Sequence, residues 1–249
     1  MTSISETGYA KIVANLGEII STAEGIGTTY DPFEPRIKVP ALKAVHVSAT
    51  NAINAVRAIF PAYTTAVGER ELAFLPLNRL VTRITSSLKA CGASAPVCES
   101  AMTLARKIKG TRTAQKLTEE EKKIVAEQGV EIARSSSSQM SYDSRLDNLN
   151  GLIKLLKGTD KYAPNEADLK TENLEAMYED LKAKNNAVIA TNTPLSLARV
   201  SRNEILYKPE TGLVDAALLA KAYIKSIYGT TNPVYKRISG LTFNNKNVV

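Results

Sequence analysis

The chain is predicted to be all-α: an elongated helical bundle built from two tandemly duplicated helical units with long kinked central helices. Three observations predict this. Apolar residues recur at steps of three and four through most of the 249 residues, the spacing of one helix face. Aromatic residues make up only 6% and Trp is absent, which argues against strands rich in aromatic residues. The third observation is that the chain repeats itself.

"ERELAFLPLNRLV", from Glu69, and "SRNEILYKPETGLV", from Ser201, share a pattern. Glu71 lies over Glu204, Phe74 over Tyr207, Pro76 over Pro209 and Leu80-Val81 over Leu213-Val214, all at an offset of 133. The match extends to Tyr9 over Tyr142, Asn15-Leu16 over Asn148-Leu149, "YDPFEPRIKVPAL" over "YAPNEADLKTENL", and "GASAPV" over "GTTNPV". Order and spacing hold over about a hundred residues, the signature of an internal repeat. The expected organisation is a first repeat in 1–110, a connecting segment with one extra helix in 111–140, and a second repeat in 141–249. Two repeats are too few for an open solenoid, so the copies are expected to pack on each other as one domain.

The first helix is read from Tyr9, Ile12, Val13, Leu16, Ile19, Ile20 and Ala23, which share one face. After a Gly-Thr-Tyr-Asp-Pro loop, a stripe from Leu42 to Phe74 predicts a rod on the order of 50 Å long. Its near-heptad spacing resembles that of coiled-coil bundles. Pro61 interrupts the rod, and Pro194 lies one position away in register, so a shared kink or break is expected at both. Pro76 and Pro209 end the rods, and Asn78 and Thr211 are expected to cap the helices that follow. Gly92 and Gly229 stand where a terminating glycine belongs. In the connecting segment, "KLTEEEKKIVAEQG" has capping-box spacing at Thr118 and Glu121, and "RSSSSQMS" follows as a Ser-rich joint.

From Ala44 to Gly68 the only formal charge is Arg57, and Asn185 to Ala198 has none. Helices so poor in charge are expected to be surrounded on most sides, each long helix by the other through small side chains.

The net charge is +7, of which Arg106, Lys107, Lys109, Arg112 and Lys116 supply +5. A basic run can meet nucleic acid or an anionic surface, but a solvated connection between helices accounts for it more simply. His46 is the only histidine; it rules out a His-His metal pair and reads as a core or boundary residue. Cys91 and Cys98 are spaced for neither a zinc knuckle nor a redox pair and read as buried thiols. No phosphate-cradling glycine motif or nucleophile elbow is present. No catalytic, cofactor-binding or metal-binding residue is assigned. At the repeated corners, Arg70 and Glu71, and Arg202 and Glu204, are expected to form ion pairs that hold the loop.

"YAPNEADLK", "DLKAKNNAVI" and "RNEILYKPETGLVD" resemble stretches of a family of bacterial all-helical proteins with no assigned function. The resemblance implies a soluble, all-helical bacterial protein and carries no catalytic residue.

The expected function is non-enzymatic: a structural or interaction protein whose long, charge-poor helices self-associate. The alternative is a nucleic-acid or anionic-surface binder using residues 106–116. A membrane-active protein ranks third, because Asn51, Asn54 and Arg57 make lipid exposure costly. With no leader-like N-terminus and no long apolar run, the cytoplasm is the expected compartment.

Overall fold

The computed structural model describes residues 7–111 and 140–243. It is all-α, with no strand among the described residues. The helices are α1 (Thr7–Ile26), α2 (Val39–Phe74), α3 (Leu77–Ala90), α4 (Ala95–Lys109), α5 (Tyr142–Lys157), α6 (Thr171–Tyr207), α7 (Leu213–Tyr228) and α8 (Pro233–Ser239). The predicted connecting helix and the Ser-rich joint lie outside the described residues. No described helix is long and apolar enough to cross a membrane.

The chain divides into two compact units. One comprises Met1–Thr64 with Thr191–Val249, the other Thr65–Ala190. These boundaries differ from the 110 and 141 expected from the repeat. Each falls inside a long helix, because α2 and α6 each lend one end to one core and the other end to the other.

In the first unit, Ile12, Leu16 and Ile19 of α1 and Leu42 and Ile53 of α2 bury against Leu206, Leu213, Val214, Ala217 and Ile224. In the second, Leu77, Ile84 and Leu88 of α3 and Ile108 of α4 bury against Leu149, Leu152, Leu156, Leu174 and Leu181. Each of these cores therefore joins residues from before and after the connecting segment. Among the described residues α4 packs on α5, α3 on α4, and α1 on α7.

Of the kink or break expected at the shared prolines, the break does not occur. Both long helices run continuously through Pro61 and Pro194, which are exposed. A proline ring that faces solvent leaves the carbonyl four residues earlier to water, so the helix can continue at a cost of about 3 kcal/mol. In the second unit α2 and α6 meet through polar side chains, Arg70 with Asn185 at 3.2 Å and Lys184 with Glu69 at 3.8 Å. Much of both charge-poor stretches is exposed instead, including Val47, Ser48, Asn51, Ala55, Ala58 and Leu197.

The corners also differ from expectation. Helix α3 starts at Leu77 behind Pro76, and α7 starts at Leu213 behind Gly212, so neither Asn78 nor Thr211 is the cap. Asn78 Oδ1 instead accepts a hydrogen bond from Arg145 Nη2 at 3.2 Å. Gly92 and Gly229 do take positive φ at helix ends, 74° and 70°, as a terminating glycine should.

Matching positions of the two halves carry matching contacts. Tyr30 Oη donates to the Ile37 carbonyl at 2.8 Å and Tyr162 Oη to the Leu169 carbonyl at 2.9 Å. Each pair brackets a short 3-10 turn, Pro35–Ile37 and Ala167–Leu169. Lys43 pairs with Glu24 in one half, and Lys157 with Glu175 in the other, with cation and anion exchanged between the helices.

Candidate functional site

The corner motifs build two related clusters. In the second unit the Arg70 guanidinium lies 3.8 Å from the centroid of the Tyr142 ring, and Phe74 meets the same ring edge-on at 4.8 Å. Arg70 Nη1 donates to Asn185 Oδ1 at 3.2 Å, and Asn185 Nδ2 donates to Asp143 Oδ1 at 2.8 Å. Asn185 is 3% exposed, so this chain satisfies a buried amide. Arg70 Nε is buried without a hydrogen-bond partner.

In the first unit Arg202, 4% exposed, lies 3.7 Å from the centroid of the Tyr9 ring. It donates to Asn203 Oδ1 from Nε at 3.1 Å and Nη2 at 2.8 Å. Tyr207 meets Tyr9 at 6.3 Å, and burial, with Tyr9 beside it, pushes the Tyr207 phenol up from its ordinary pKa. Glu71 and Glu204 are exposed, and neither carboxylate takes part in an ion pair among the described residues.

The loop before each long helix docks near the start of the helix after the corner. In the first unit Arg36 donates from Nη1 to the Glu210 carbonyl, beside Asp215, whose Oδ2 accepts the Glu210 N–H at 2.7 Å. Glu34 pairs with Arg36 from the same loop at 2.9 Å, and that contact draws the Glu34 carboxyl below its ordinary pKa.

In the second unit Asp168 occupies the place of Arg36 and binds Arg83 through both guanidinium Nη atoms, one of them at 3.1 Å. This pairing lowers the Asp168 pKa. Arg83 borders two open depressions of about 730 and 520 Å³. Arg79, Leu80 and Met177 line the first, and Ser86, Ser87 and Cys91 the second. Sequence reasoning misses Arg36, Arg83 and Asp168. Their only signal is an arginine aligned over an aspartate.

Of the basic segment, Arg106, Lys107 and Lys109 lie in the last turn of α4, where cations complement the helix dipole. Arg112 and Lys116 lie outside the described residues. Lys107 shares a depression of about 390 Å³ with Asp143 and Asp147, so the described part of the segment is flanked by acids. Arg145 Nε donates to the Ile108 carbonyl at 3.2 Å, and burial lowers its pKa.

His46 faces Gly17 of α1, whose missing Cβ would stand 3.4 Å from Nε2. Cys91 and Cys98 are free thiols and half-buried. Among the described residues no group of three or more His, Cys, Asp or Glu could hold a metal ion.

Comparison of the chain with known protein families, curated proteins and solved structures finds no match. The resemblance to bacterial helical proteins therefore rests on the quoted stretches alone.

Proposed function

We propose that this chain is a non-enzymatic structural or interaction protein, formed by tandem duplication, that self-associates through the exposed charge-poor faces of its two long helices. The exposed charge-poor stretches carry the reading. Val47 and Leu197 are 56% and 65% exposed, on helical runs whose only charge is Arg57. Single exposed apolar residues need no explanation, but helix faces stripped of charge on a protein with 23% charged residues favour association. The partner is a second copy of the same face, which such a polar-neutral surface meets without desolvating charge.

The matching Tyr30 and Tyr162 hydrogen bonds, with the exchanged Lys43–Glu24 and Lys157–Glu175 pairs, support the duplication. Light scattering over a concentration range tests the association. Molar mass should rise with concentration, survive high salt and fall to the monomer in Val47→Lys/Leu197→Lys. A strict monomer at every concentration would overturn the reading. Binding to DNA that weakens steeply with salt, and is lost when Arg106, Lys107, Lys109, Arg112 and Lys116 are neutralised, would favour the nucleic-acid alternative.

A further inference from the structure

Both compact units are assembled from both halves of the chain. The α1 end of the first half packs against the α7–α8 end of the second, and α5 of the second half packs against α3–α4 of the first. If the halves are copies, as proposed above, either half could in principle complete itself with another molecule of its own kind. The aromatic clusters do not prevent this, because Arg70 on Tyr142 and Arg202 on Tyr9 are equivalent contacts. Neither do Glu34 and Glu166, which occupy matching positions in the two loops.

The docking charges do differ. The first half carries Arg36 on its loop and Arg83 on the helix that receives a loop. The second carries Asp168 on its loop and Asp215, with Glu210, at the receiving helix. Pairing unlike halves joins Arg36 to the Glu210 carbonyl, in the field of the Glu210 and Asp215 carboxylates, and Asp168 to Arg83. Pairing two first halves would set Arg36 against Arg83, and pairing two second halves would set Asp168 against Asp215.

We infer that Arg36, Arg83, Asp168 and Asp215 form a pairing code that favours pairing of the two unlike halves of this chain and disfavours pairing between like halves. The inference rests on the duplication in the proposed function. It adds an interface with a defined partner: the complementary half, in the same chain or in a second copy. Opposed like charges are a common way to reject a wrong partner.

The experiment uses the full chain with a protease site placed within 112–139. The cleaved protein is taken through mild denaturant and back, and its composition is read by native mass spectrometry. Wild-type halves should remain together as first-with-second pairs. The variant Arg83→Asp/Asp168→Arg keeps both native pairings attractive. Arg36 still meets the Glu210 carbonyl near Asp215, and the exchanged side chains at positions 83 and 168 still carry opposite charges, so the variant folds as before. It also makes like-half pairing attractive. First-with-first and second-with-second species should then rise about three- to tenfold over wild type, the range expected for exposed charge pairs, and high salt should erase the difference.

Halves that separate on cleavage would overturn the inference, and so would an unchanged share of like pairs in the variant. Association through the long-helix faces registers separately, as multiples of first-with-second pairs. A result with no such multiples sinks that association while leaving the pairing code standing.

Discussion

The guanidinium of Arg202 lies 3.7 Å from the ring centroid of Tyr9, joining the last turns of α6 to the start of α1. Arg70 over Tyr142 makes the corresponding contact in the other unit at 3.8 Å. Double-mutant cycles on each pair, with Tyr→Leu and Arg→Met, should give couplings of about 0.5–2 kcal/mol by urea unfolding, similar in both units. Zero coupling would reduce both clusters to simple packing.

Tyr30 and Tyr162 supply a pH dependence. Burial, with Tyr223 beside Tyr30 and Cys91 beside Tyr162, pushes each phenol up from 10.0 to about 12. A raised phenol pKa means the fold favours the neutral form. The stabilisation is complete below the unfolded value near 10 and is lost as pH rises through about 12. Melting temperature should therefore fall across that window. Tyr30→Phe/Tyr162→Phe should flatten the fall while costing about 1 kcal/mol per lost hydrogen bond at neutral pH. A slope unchanged in the double variant would place the alkaline transition elsewhere.

Pro61 and Pro194 sit inside continuous helices with their rings exposed. Replacing either with Ala restores a backbone N–H to the ladder and removes a steric clash. Chemical denaturation should show a gain of about 1–3 kcal/mol at each site. A loss of stability would mean that the packing requires a proline-bent course of the helix.

Two glycines separate space from propensity. A Cβ on Gly212 would stand 2.7 Å from the Lys208 carbonyl oxygen and 2.8 Å from its nitrogen, so Gly212→Ala must displace the turn behind α7. A Cβ on Gly68, inside α2, would meet nothing within 4 Å. Calorimetry should find Gly212→Ala destabilised by about 2 kcal/mol or more through turn strain, and Gly68→Ala stabilised by about 1 kcal/mol. Equal effects would contradict the tight corner.

Much of this fold is legible in the chain itself. Periodicity alone picks out the buried stripe of Ile12, Leu16, Ile19, Leu42 and Ile53. A stripe says which face is covered but not what covers it, so the exchange of helix ends between the units leaves no mark on it. Low charge from Ala44 to Gly68 suggests burial, whereas Val47, Asn51 and Ala58 are exposed. Charge content reflects what a surface will tolerate meeting, and that includes partners outside the chain. The Arg83–Asp168 contact spans 85 residues with no periodic trace. Even the alignment of Arg36 over Asp168 looks like random divergence until both partners are known.

Synthesis of this chain runs against the order of its packing. Asn15 donates to the Thr242 carbonyl, 227 residues away, and α1 buries against Leu213, Val214, Ile224 and Ile238. Helix α1, made before α7 and α8 that cover it, thus waits for its partners, while the unit of Thr65–Ala190 can close before it. Until α7 and α8 emerge, α1 and the start of α2 show an apolar stripe to whatever is nearby, a chaperone or the neighbouring nascent chain on the same message.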